Sequence, residues 1–331
     1  MTLDILIPQY EETDEVIKPL LDSIALQQLV NFKDLKVIIV NDGSQTFLSP
    51  KLLKSYPFEI NYIKNKHLGV SATRQRALDE SKADYVMFCD ADDMFYNMCG
   101  LWIIFNEMNK KDPNTGIVGF DSLTSTFIEE SKLPDGTHTY INREMDCTFV
   151  HGKVHRRQYL IDNNIKWNPS LTIHEDSFFN ILCQRLSTNV KYCPVPFYLW
   201  KWRDASVCRH DPKYILKTYN NMLDSSTALI NEFLRRNRFI DAQFFAANMT
   251  YDAYFTMNKQ EWINQENKEY RNATELRFSL FYKQFKQIIL GLPDQTKVQM
   301  LNGLRSRFYA EGVMFENITF DDWIKHIEEM V

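Results

Sequence analysis

The sequence predicts an α/β protein, a mostly parallel central sheet flanked by helices over residues 1–210, followed by an α-helical region over 211–331. Three observations carry this. Short apolar, β-branched runs alternate with amphipathic segments through the first 125 residues or so. Polar clusters stand at the ends of three of those runs, where ligands gather in open α/β sheets. After Asp211-Pro212 the pattern changes to long stretches of helical periodicity with few breakers.

The strand-like runs are LDILIP (3–8), LKVIIVN (35–41), INYIK (60–64), YVMFC (85–89) and GIVGF (116–120). Near-continuous apolar character marks strands covered on both faces. Helical segments are expected at 12–29, 69–81 and 100–109. Strand and helix in repetition imply right-handed crossovers between parallel strands. Residues 126–210 are less regular. LPDG (133–136) is a turn signal, 147–150 reads as a strand, and 156–164 and 175–185 read as helices. CPVPFYLWKWR (193–203) reads as an alternating aromatic strand behind two prolines. Beyond it, helices are expected at 214–236, 240–257, 268–290, 297–311 and 320–330.

The 331 residues, 44% of them apolar, suffice for one large core and a smaller unit. A net charge of -5 disfavours an electrostatic nucleic-acid binder, which would show a basic surplus. The six cysteines form no CxxC pair, so reduced thiols in a reducing, cytoplasmic compartment are expected. MTLDILIPQYEE lacks the basic and long apolar regions of a signal peptide. No run reaches the ~18 apolar residues of a membrane span, so the sequons at Asn248, Asn272 and Asn317 read as chance matches.

The chemistry concentrates in five places. DADD (90–93) follows an apolar strand, and its carboxylates suit Mg²⁺ or Mn²⁺; the plainer reading is a solvated loop with helix-capping aspartates. NDGS (41–44) is a good turn sequence, and Asp42 could accept a hydrogen bond from a nucleotide base. HLGVSATRQRAL (67–78) opens a helix with Arg74 and Arg76 in its early turns, which suits a diphosphate or an ordinary amphipathic helix. HEDSFFN (174–180) places Glu175 and Asp176 at a helix start, as a general base or as charge complementing the helix dipole. YLWKWRDASVCRH (198–210) brings Arg203 and Ser206 for phosphate oxygens and His210 for a metal, or packs its tryptophans as a plain strand.

In order and spacing, IPQYEE, VNDGS, HLGVSATRQRAL, FCDADDMF, HGKVHRR, HEDSFF and FYLWKWRDAS resemble family 2 glycosyltransferases of the GT-A fold, over residues 1–210. The resemblance implies a UDP-sugar donor, Mn²⁺ or Mg²⁺, and an inverting transfer of the sugar to an acceptor hydroxyl. Pro8, Tyr10 and Asp42 would line the nucleoside pocket, with Asp42 on uracil and Arg74 near the donor. Asp90 would face the ribose and sugar, and Asp92 the metal; Asp90 and His210 would complete the metal set. Asp176 would be the base with Glu175 beside it, and Arg203 and Ser206 a donor-phosphate segment. Glu11 and Gln75 depart from the asparagines that many relatives carry.

The acceptor is left open among a glycan, a polymer, a protein and a modified nucleic-acid base, the last not favoured. The helical third lies outside the resemblance and is left as acceptor-binding, homo-oligomer-forming or buttressing. Two other classes fit the sequence less well. A Mg²⁺-dependent phospho- or nucleotidyltransferase would need a nucleophilic Asp or a Lys-bearing phosphate loop, and no GxxxxGK[ST] is present. A non-catalytic nucleotide-sugar-binding module would not need Glu175-Asp176.

Overall fold

The structure is a computed structural model that describes residues 1–113, 116–130, 138–141, 146–203, 218–264, 266–310 and 318–330. The chain divides into two compact units, Met1–Ser206 and Val207–Val331.

In the first unit, β1 (Leu3–Gln9), β2 (Leu35–Asn41), β3 (Glu59–Lys64) and β4 (Tyr85–Phe88) are parallel, in the order β3-β2-β1-β4. Helices α1 (Asp14–Ala25), α2 (Pro50–Leu53) and α3 (Val70–Glu80) connect them. Leu3, Ile5, Ile7, Val37 and Ile39 are wholly buried, which accounts for the apolar runs. Chain order reverses between β1 and β4, and the crevice outside the carboxyl ends of strands at such a switch is where ligands bind.

Beyond β4 the sheet is mixed. It adds β5 (Met94–Phe95), β6 (Ser122–Glu130), β7 (His138–Ile141), β8 (Lys153–Arg156) and β9 (Val190–Trp200), and continues from β4 as β8-β6-β9-β5, with β7 on β6. Helices α4 (Gly100–Asn109), α5 (Arg157–Asp162) and α6 (Glu175–Arg185) complete this unit.

Two expected strands are displaced. Residues 116–120 make an isolated bridge, Val118 to Lys111, because Gly116 and Gly119 take φ of 72° and 78°. Residues 147–150 form a loop anchored by α6, whose Asn180 side chain donates to the Phe149 carbonyl at 2.8 Å. The expected 193–203 strand begins at Val190 and keeps its prolines by looping out. Pairing jumps from Ser125–Cys193 to Phe127–Tyr198, so Pro194 and Pro196 fall where no ladder bond is required.

In the second unit the described helices are α7 (Tyr219–Arg235), α8 (Phe239–Met257), α9 (Gln260–Ile263), α10 (Lys268–Leu290), α11 (Asp294–Ala310) and α12 (Phe320–Glu329). Aromatic pairs build its core, such as Phe278 on Trp323 at 5.3 Å and Phe255 on Phe308 at 5.3 Å. Among the described residues no helix is long and apolar enough to cross a membrane.

Candidate active site

The turns after β1, β2 and β3 interlock. The Asp42 carboxylate, at the end of β2, accepts the backbone N–H groups of Leu68 at 2.8 Å and Gly69 at 3.0 Å. Those N–H groups immediately precede α3, so Asp42 fixes the approach to the helix start. His67 Nδ1 lies 3.1 Å from the same carboxylate, and the His67 ring stacks on Tyr10 at 4.5 Å. Tyr10 remains 49% exposed, which leaves aromatic surface open beside Asp42 for a planar ligand. Pro8 sits two residues earlier in β1, paired with Val40.

The DADD turn closes through the Asp93 N–H, which donates to the Asp90 carbonyl at 3.2 Å. Its three carboxylates have different surroundings. Asp93 is fully buried and accepts the Tyr198 hydroxyl at 2.6 Å and the Lys201 N–H at 3.0 Å. The Tyr198 oxygen in turn accepts the Asp90 N–H at 3.1 Å, which fixes the turn on β9. Burial, and then the Asp90 and Asp92 charges, hold the Asp93 carboxyl well above the usual carboxylate range. His151 Nδ1 lies 3.6 Å from Asp93, its ring stacked on Phe149 and Tyr198 and tilted against Trp200. Asp92 is partly exposed and pairs with Arg203 at 2.8 Å, with Glu12 3.8 Å from the same nitrogen. Burial also raises the Glu12 carboxyl.

Asp90 faces another way. Arg74, in the first half of α3, is only 4% exposed and gathers three carboxylates. Its Nη2 donates to Asp90 at 2.8 Å, and its Nη1 donates to Glu175 at 3.0 Å and Asp176 at 2.6 Å. The guanidinium lies over the Trp167 ring at 4.9 Å, and Trp167 stacks flat on Phe179 of α6 at 4.2 Å. Glu175 and Asp176 open α6, where the helix dipole favours negative charge. His174 before them adopts left-handed backbone, φ 63°. Burial pushes the Asp176 carboxyl well up; Arg74 opposes this, and Glu175 and Asp90 reinforce it.

Of the sequence-derived residues, Asp90, Arg74, Glu175 and Asp176 meet at one guanidinium, and Asp92 meets Arg203. Pro8, Tyr10 and Asp42 lie at the neighbouring strand ends. Ser206 and His210 lie outside the described residues. Sequence reasoning missed His151, Tyr198, Trp167 and Glu12. A signal existed for His151, in the HGK stretch directly before a strand; nothing local marked the others.

Arg74 and Arg203 stand among six acidic side chains, Glu12, Asp90, Asp92, Asp93, Glu175 and Asp176, more acids than the two guanidiniums can pair. That imbalance, with oxygen-rich donors, fits a divalent cation such as Mg²⁺ or Mn²⁺. Ligand atoms of Asp90, Asp93 and His151 lie within 4.8 Å of one another and form a candidate cation cluster.

Residues 4–144 match the family model described as glycosyl transferase family 2. A cholesterol galactosyltransferase of Borreliella burgdorferi is 23% identical over 300 residues, 80% of this chain and 76% of the relative. A teichoic acid poly(glycerol phosphate) polymerase of Staphylococcus epidermidis is 26% identical over 211 residues, 58% of this chain; the match spans only 28% of that protein's length. Among solved structures, S. aureus TarS 1–349 in complex with UDP-GlcNAc superposes with a TM-score of 0.61 at 16% identity, over 96% of this chain and 97% of that one. That likeness is one of fold, and TarS is a GT-A glycosyltransferase. With glycosyltransferases among its relatives and a GT-A fold, the chain is a glycosyltransferase whose residues 4–144, the strands that build the crevice, match family 2.

Proposed function

We propose that this enzyme transfers a sugar from a UDP-sugar to an acceptor hydroxyl with inversion, using Asp176 as general base and a divalent cation at the DADD turn. The observation that carries the reading is Arg74, which ties Asp90 on the donor side to Asp176 on the acceptor side through one buried guanidinium. The UDP-GlcNAc complex of TarS supports a UDP-sugar donor. The relatives' names, which include a cholesterol galactosyltransferase and teichoic acid enzymes, support a hydroxyl on a glycan, a polymer or a lipid.

Tyr10 offers its open ring to the base, and the Asp42 turn closes the pocket beside it. Asp90 and Asp92, 31% and 25% exposed, are the carboxylates a cation can reach, and Asp92 would exchange Arg203 for it. Asp93 and His151 back the turn from inside. A cation there supplies Lewis-acid stabilisation of the charge on the departing diphosphate. Arg203, released from Asp92, is placed to meet the same charge. Asp176 takes the acceptor proton as the oxygen bonds to the anomeric carbon and the carbon–oxygen bond to the diphosphate breaks. Its raised pKa makes it a stronger base than a free carboxylate.

Calorimetric titration of UDP with and without Mn²⁺, together with Asp176→Asn, tests this. Metal-dependent UDP binding is expected, and the variant should retain it while transfer falls by about 10³-fold or more, at the level of lost general-base catalysis. Near-normal transfer by the variant would remove Asp176 as the base. Absence of binding by UDP in both conditions would refute the donor.

A further inference from the structure

Glu11, the second residue after β1, stands where many family 2 relatives carry asparagine. Its backbone lies in the left-handed region, φ 64°, which favours glycine or asparagine over a long side chain. From that conformation its carboxylate reaches across to the turn after β2. One oxygen accepts the Gln45 N–H at 2.9 Å, and the other accepts the Thr46 hydroxyl at 2.9 Å. The Gln45 N–H bond, and then the Thr46 bond, hold the Glu11 carboxyl below the usual range, so it is ionised at neutral pH and both bonds are charge-assisted.

The neighbours of Glu11 show what this clasp fixes. The Tyr10 N–H donates to the Glu12 carboxylate at 2.6 Å, and the Gln9 side chain donates to the Glu12 carbonyl at 2.9 Å, which closes the turn around Glu11. The clasped turn is itself tight: the Ser44 hydroxyl donates to the Thr46 carbonyl at 2.8 Å, and Asn41 accepts the Ser44 N–H at 2.9 Å. Asp42 lies in that turn and clasps the next one through Leu68 and Gly69. Two carboxylates thus link three strand ends in series, Glu11 from β1 to β2 and Asp42 from β2 to β3. Tyr10 and Asp42, the two walls offered to a nucleoside, are on opposite sides of the first clasp.

We propose that Glu11 is a positioning residue for the nucleoside pocket: its carboxylate clasp sets the Tyr10 ring against the Asp42 turn. The proposal rests on the UDP-donor reading given above. A side chain kept in left-handed backbone beside a binding crevice, with both of its oxygens committed across that crevice, is strain retained for position.

Two variants separate position from bulk stability. Glu11→Gly removes both bonds and also relieves the left-handed backbone, so its melting temperature should stay close to wild type. Glu11→Gln keeps the reach and one acceptor oxygen. UDP titration in Mn²⁺ should show about tenfold weaker binding for Glu11→Gly, the scale of one charge-assisted hydrogen bond, and an intermediate loss for Glu11→Gln. Turnover with a UDP-sugar should lose more in donor KM than in kcat. Amide hydrogen exchange at 44–46 should speed up in the glycine variant without ligand. Wild-type UDP affinity in Glu11→Gly overturns the proposal, whether or not exchange changes. If the wild-type chain binds no UDP, the donor reading fails, and the proposal with it.

Discussion

Replacing Arg74 with methionine tests whether one guanidinium holds the site together. The change keeps the apolar stem on Trp167 and removes the charge that Asp90, Glu175 and Asp176 share at 2.8, 3.0 and 2.6 Å. Arg74 is only 4% exposed, so solvent cannot replace it. Breaking a buried ion pair by removing one partner costs about 3–5 kcal/mol, and here three like charges are left together. The effect must depend on pH, because carboxylates without a counter-charge can take protons. Asp176 is held above its ordinary range even with Arg74 present. A raised carboxyl pKa favours the folded state while the group is protonated, and that contribution is lost as pH rises through the folded-state value. Urea unfolding of Arg74→Met should therefore show a loss of about 3–5 kcal/mol at pH 7.5 and a clearly smaller one at pH 5. A loss below about 1 kcal/mol, the size of an exposed pair, or an equal loss at both pH values, would mean that Arg74 is not the common counter-charge.

Two further tests separate the cation ligands and the buried imidazole. Asp92→Asn should weaken Mn²⁺-dependent UDP binding by more than ~100-fold, whereas His151→Gln, as an outer partner, should cost about tenfold; the reverse order in calorimetry would place the cation on the buried Asp90–Asp93–His151 cluster. His155, buried beside Ser122 at 3.0 Å, has its pKa pushed down to about 3 by burial, with Lys153 adding to it. The unfolded chain therefore binds the extra proton between pH 6.5 and about 3, and stability falls as pH drops through that window. At pH 4.5 the cost is on the order of 3 kcal/mol, so the urea midpoint of His155→Asn should fall less than that of wild type between pH 7 and 4.5. Parallel falls would refute it.

Legibility followed how local each cause was. The strands β1, β2 and β4 were readable because both of their faces are apolar, and α4, α6 and α10 because nothing in their stretches competes with helical periodicity. β6 was hidden, since its buried face includes Ser122, Thr124, Ser125 and Thr126, which carry no apolar signal. β8 was hidden by Lys153, buried at 2% exposure against Asp146 at 2.6 Å, a pairing that no pattern rule anticipates. In the site, the acidic turn and the Glu175-Asp176 pair could be found as isolated motifs. Their junction could not, because Arg74 meets Glu175 and Asp176 across 101 and 102 residues of chain. The Tyr198 and His151 support of Asp93 is equally non-local. Motif reading thus located the acidic and turn residues and passed over most of the buried groups that hold them.

Under the proposed mechanism, the Arg74 junction also bears on the state of Asp176 before and after loading. Three influences act on Asp176 besides burial: Arg74 draws its pKa down, while Glu175 and Asp90 push it up. Asp90 is the one of these whose charge a cation can match, since it is partly exposed and belongs to the DADD turn. Once that charge is matched, its push on Asp176 fades, and the share of Arg74 spent on Asp90 returns to Glu175 and Asp176. Asp176 then gives up its proton more readily than in the empty site. Under the proposed mechanism, the single guanidinium between the two carboxylate groups couples cation loading at Asp90 to the pKa of Asp176.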